Sequence, residues 1–273
     1  MSDRRWTRFG YLSVLGVVVL ALSACGTGPA PSAESPRLET VEIPPVGDPS
    51  PVTEVATEMA GPEVAPRLEQ QDLDQPAIWP AADVVFTTPE EAAADFVSAV
   101  LISEGDPVLG EFQRGDARSG EIAVLFAGES GDLEPPLEQG ILLLRKIAPT
   151  EGWYVIAATS DGVVIDTPSA LDQVRAGTVA VSGEGRGFEG TLVVSAFSPG
   201  DDAASLDLEI GAGGAFEDLE PYSVELDLSE AADGDVVVIL VRGDTGLGND
   251  PSSFAAIPIV IASVPSATIP PTR

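Results

Sequence analysis

The sequence predicts a small α+β module followed by an all-β sandwich, with a disordered tether ahead of both. Three patterns carry this prediction. Prolines recur among acids and small residues across 26–82, where no helical or strand period survives. A single helical stripe then opens a group of alternating strands between 83 and 167. From 178 to 262, short β segments follow one another at near-regular spacing, separated by glycine-rich and acidic joints.

At the amino terminus Arg4, Arg5 and Arg8 precede an apolar run, 9–21. That run is short for a transmembrane helix, which needs about 20 apolar residues, and has the layout of a signal peptide. Leu22-Ser23-Ala24-Cys25 follows in register and resembles the bacterial lipobox. The resemblance implies a signal peptide of residues 1–24, cleavage between Ala24 and Cys25, and a diacylglycerol on the Cys25 thiol. One acyl chain gives only reversible attachment, at about 0.8 kcal/mol per buried CH₂, whereas two hold. The expectation is a protein held by lipid on Cys25 at the extracytoplasmic face of the cell membrane.

The tether is expected to span 25–82. Its composition cannot bury enough apolar surface to offset the entropy of ordering it. A flexible chain of this length reaches roughly 40 Å and would hold folded modules clear of the lipid. Leu68, Leu73, Ile78 and Trp79 are apolar within it and leave docking onto the folded part open as an alternative.

The α+β module is expected over 83–167. Thr88-Pro89-Glu90-Glu91 is a helix start: Thr88 can cap, Pro89 suits the first turn, and Glu91 completes a capping box. Ala93, Phe96, Val97, Val100 and Leu101 then form one apolar stripe. Strands follow at 121–127, 139–148, 153–159 and 163–166, with Pro149-Thr150-Glu151-Gly152 as a hairpin loop. Trp153 and Tyr154 read as hairpin core, the alternative being a ligand surface.

The sandwich is expected over 168–263, with a disordered tail at 264–273. Candidate strands are 178–182, 190–197, 205–210, 222–228, 236–242 and 255–261. Val179, Val181, Leu192, Val194, Leu226, Val236, Val238, Leu240 and Ile259 include many of the expected inward-facing positions. Val179-Ala180-Val181-Ser182-Gly183-Glu184-Gly185 and Phe188-Glu189-Gly190-Thr191-Leu192-Val193-Val194 resemble the immunoglobulin-like domain of bacterial spore germination proteins. Pro221-Tyr222-Ser223-Val224-Glu225-Leu226 and Ile257-Pro258-Ile259-Val260 fit its later strands. The resemblance implies an exported, non-catalytic interaction module, with Phe188 as an aromatic packed against the core edge. Trp153-Tyr154-Val155-Ile156-Ala157-Ala158-Thr159 and Val164-Ile165-Asp166-Thr167-Pro168 are similar to the region preceding this domain in actinobacterial lipoproteins.

Composition narrows the chemistry. The chain has one Cys and no His, which excludes Cys/His zinc sites and Ser-His-Asp or Cys-His catalysis. Thirteen basic against 44 acidic residues give a net charge of −31, two units more negative without residues 1–24, and make nucleic acid an implausible ligand. The expected function is a non-catalytic binding or scaffolding lipoprotein with a protein or cell-wall partner, no cofactor and no metal. The alternatives are a wall-polymer hydrolase using paired carboxylates and an envelope assembly factor of the sporulation or germination type. A transporter's solute-binding protein would need two α/β lobes. Asp201-Asp202 and Asp244 with Asn249-Asp250 lie in acidic turns that match no calcium-loop motif.

Overall fold

The computed structural model describes residues 68–215, 218–243 and 245–263, all within one compact unit, Pro62–Arg273. The signal peptide, Ala24, Cys25, the tether up to residue 67, Asp244 and the tail 264–273 lie outside the described residues. The body is mostly β. Helix α1 (Pro89–Phe96) runs on into a π-turn (Val97–Leu101). Strands β1 (Val108–Leu109), β2 (Gln113–Arg114), β3 (Ser119–Phe126), β4 (Leu137–Ile147), β5 (Gly152–Thr159), β6 (Val163–Thr167) and β7 (Gln173–Val174) follow. Next come β8 (Thr178–Gly187), β9 (Thr191–Ser198), β10 (Asp201–Ala212), β11 (Gly214–Ala215), β12 (Glu220–Asp227), β13 (Val236–Gly243) and β14 (Ser253–Ile261).

The helix start forms as its residues dictate. Thr88 Oγ1 accepts from the Glu91 amide at 3.3 Å, and the Glu91 carboxylate accepts from the Thr88 amide at 3.2 Å. Hydrogen bonds from the Thr87 hydroxyl and the Thr88 amide hold the Glu91 carboxyl below its ordinary range. Ala93, Phe96, Val97, Val100 and Leu101 are all buried, so the apolar stripe is the packed face.

The strands form two largely antiparallel sheets, consistent with a β-sandwich. One has ten strands in the order β1-β3-β4-β5-β14-β13-β9-β10, with β2 on β3 and β7 on β14. The other has four, β11-β8-β12 with β6 on β8. The 83–167 and 168–263 segments therefore share a sheet: β5 meets β14 at Ala158 and Ala256. The strand expected to end the first segment, β6, pairs with β8 in the other sheet, because the turn at Ser160-Asp161-Gly162 carries the chain across.

The long sheet is covered on both faces at β13 and β14. Between the sheets lie Val181, Leu192, Val194, Leu226, Val237, Ile239, Val241 and Ile259. On the opposite face, α1 and its π-turn pack Phe96, Val97 and Leu101 against Leu142, Leu144, Val155, Phe197, Val238, Leu240 and Phe254. The expectation that Val236, Val238 and Leu240 face the sandwich interior is corrected. Val238 and Leu240 lie under the helix, Val236 shares their face of the strand, and Val237, Ile239 and Val241 take the interior positions. The run Val236-Val237-Val238-Ile239-Leu240-Val241 lacks alternation because both faces of β13 are buried.

The segment 68–82, expected as the end of the tether, is packed against the body. Ile78 and Trp79 donate to the Val155 carbonyl, and the Val155 amide returns a bond to Trp79 at 2.8 Å. Leu73, Ala77, Ile78, Trp79 and Ala82 are buried, and this offsets part of the cost of ordering the stretch. Trp79 Nε1 donates to Asp95 at 2.7 Å, and its ring meets Phe96 edge-on at 6.2 Å. Tyr154 donates to the Ala82 carbonyl at 3.0 Å, and burial pushes its phenol pKa up. Gly200, at φ +80°, lies against the Ala81 backbone, so the β9–β10 turn has no room for a Cβ there. Among the described residues no helix is long and apolar enough to cross a membrane.

Candidate binding cleft

The two poles of the body differ. β13 and β14 run antiparallel, with Val236 opposite Val260 at one end and Gly243 opposite Ser253 at the other. Near the first end the Gly234 amide donates to Ile261 at 2.8 Å, Ser263 donates to Asp233, and Leu68 shares a cavity of about 320 Å³ with Asp235. The first and last described residues are thus neighbours at this pole. The other pole carries the turns at 160–162, 187–190 and 245–252. It lies one length of β13 away, about 26 Å at 3.3 Å per residue.

At and beside that second pole is a cleft of about 350 Å³. Its floor is the outer face of the long sheet: Val193, Ser195 and Phe197 of β9, Leu208 of β10, and Leu240 and Arg242 of β13. One wall is the end of the π-turn and the other is the β13–β14 loop. Arg242 Nη1 donates to the Val100 and Leu101 carbonyls at 3.1 and 3.0 Å. These are carbonyls that a helix end leaves without intrahelical partners, and a cation there also complements the helix dipole.

The β13–β14 loop is braced from two sides. The Ser103 and Glu104 amides donate to Gly248 at 2.8 and 3.0 Å, and Asn249 Nδ2 donates to Gly128 and Glu129 at 3.1 and 3.2 Å. The Ser252 amide donates to Asp250 Oδ1 at 2.8 Å, and Ser252 is held at φ +63°, a left-handed conformation that costs a β-carbon residue free energy. Among the described residues, the Thr245 hydroxyl is buried without a hydrogen-bond partner. Thr245, Asp250 and Ser252 also line a neighbouring groove of about 230 Å³, which leads through Gln139, Arg186 and Ser253 into one of about 200 Å³.

The sites singled out from sequence fall as follows. Cys25 and Ala24 lie outside the described residues. Trp153 is core, with Phe112 edge-on at 5.2 Å and the Lys146 ammonium 5.5 Å from its ring centre. Asn249 and Asp250 brace their own loop, and among the described residues no group of three acids, histidines or cysteines is arranged to hold a metal. Phe188 is corrected: it does not pack against the core edge but is 54% exposed. The turn that carries it passes through left-handed Glu189 (φ 55°) and Gly190 (φ +77°), which aim the ring outward. Arg242, Thr245, Ser252 and Arg186 were not singled out from sequence, because no motif marks residues that meet only through packing.

No protein-family model, curated protein or solved structure matches this chain.

Proposed function

We propose that the protein is an envelope lipoprotein, anchored by lipid on Cys25 at the extracytoplasmic face of the cell membrane, that acts as a non-catalytic binding or scaffolding module. The observation that carries this reading is the separation of the poles: both described ends sit at one pole, and the cleft and groove sit at or toward the other. A body tethered through residues 26–67 by its first pole presents the second to whatever lies beyond the membrane. Residues 168–263, with the interior core between β8, β12 and the long sheet, are proposed as an immunoglobulin-like domain of the spore germination type. The cleft lining supports binding over chemistry: its floor is mostly apolar, Arg242 is committed to the helix end, and its one carboxylate, Asp250, accepts from the Ser252 amide.

Two experiments test the proposal. Cys25→Ser should release the protein from the membrane fraction, and full retention after a high-salt wash would refute lipid anchoring. A photo-crosslinker placed at Phe188 in intact cells should capture an envelope component that one placed at Glu69 does not. Equal capture at both positions would refute the polarity of the body.

A further inference from the structure

We infer that the groove at the second pole is a carbohydrate subsite, taking a neutral oligosaccharide with Phe188 stacked on a sugar face. Two observations converge on it. The first is the exposed aromatic. Phe188 lines the groove at 54% exposure, and nothing in the packing requires a phenyl ring there. An exposed ring at a groove mouth offers its face to apolar ring edges such as the C–H face of a sugar. The second is backbone strain. Two of the four described non-glycine residues with positive φ, Glu189 and Ser252, hold this rim, and such strain clusters at ligand clamps.

The polar lining decides the ligand class. Gln139, half-buried, supplies an amide that both donates and accepts, while Asp161 and Asp250 accept. That mixture suits a ligand whose groups also do both, which hydroxyls do. The carboxylates at the rim, in a chain of net charge −31, disfavour an anionic sugar or a phosphate. The two chambers share Gln139, Arg186 and Ser253, so the site is elongated and takes more than one sugar unit.

This inference rests on the second pole being the binding pole of an envelope protein, and the two fail separately. The test uses the full chain in a detergent without sugar headgroups. Chitotetraose, cellotetraose, maltotetraose and mannotetraose are titrated by calorimetry and by saturation-transfer NMR, with tetragalacturonate as the anionic control. At least one neutral tetramer should bind with a Kd below about 1 mM. Phe188→Ala should weaken it at least about tenfold. The variant should keep the parent melting temperature, because it truncates an exposed ring. No binding of any neutral tetramer at about 10 mM would overturn the inference while leaving membrane anchoring and the crosslinking result untouched. Equal affinity in Phe188→Ala, or tighter binding of tetragalacturonate, would overturn it as well. A protein that binds a neutral tetramer through Phe188 but is not retained by membranes would instead refute the anchored reading alone.

Discussion

Trp79→Ala tests whether 68–82 belongs to the fold. Trp79 is 5% exposed, its indole sits edge-on to Phe96, its Nε1 is bonded to Asp95, and its backbone bridges to Val155. Truncating a buried aromatic costs about 3–5 kcal/mol through lost transfer energy and the cavity left behind. The rest of the site cannot collapse easily, because Phe96 is pinned by the helix and Val155 by its strand, so about 4 kcal/mol is expected. For a body of this size each kcal/mol moves the melting temperature by about 2–4 °C, so a fall of about 8–16 °C follows. Circular dichroism melts of the full chain measure it. Trp79→Phe separates the components: it keeps most of the packing and loses the bond to exposed Asp95, for about 1 kcal/mol. A fall of less than about 3 °C in Trp79→Ala would mean that the segment rests on the body without stabilising it, and the reasoning would be wrong.

Arg242→Met should cost about 2 kcal/mol, because two carbonyls at the helix end lose a charged donor, and a melt falling by about 4–8 °C checks it. Tyr222 is buried, donates to Val164 at 3.0 Å, and burial pushes its phenol pKa well up. Since the folded-state pKa is raised, unfolding releases the proton above the ordinary value of about 10, and stability falls as pH rises past that point. Tyr222→Phe should lower stability by about 1 kcal/mol at neutral pH yet flatten the alkaline decline, as read by urea titrations at pH 7 and above pH 10. Phe188→Ala should change the melting temperature by less than about 2 °C; a fall of about 10 °C would put the ring back in the core.

What the sequence determined is what short-range chemistry decides. Thr88, Pro89 and Glu91 specify a helix start because the capping bonds join residues three apart. Alternation at Ile122 and Val124, and the hairpin between β4 and β5, are equally local. The β-rich character of 178–262 follows from segment length and turn residues. The tertiary structure decided which surfaces these elements share. Leu73, Ile78 and Trp79 read as exceptions in a polar stretch until β5 is there to receive them. The unbroken apolar run of β13 means a strand buried on both faces, but only the helix layer shows what covers the second face. Phe188 carries the residue type of a core position, and the left-handed turn at Glu189-Gly190 turns it outward instead. Thr245 and Ser252 of the β13–β14 loop come together with Arg186 near the end of β8 and Gln139 near the start of β4. Their proximity depends on strand register and sheet closure, which are set by contacts across the chain, where no local pattern records them.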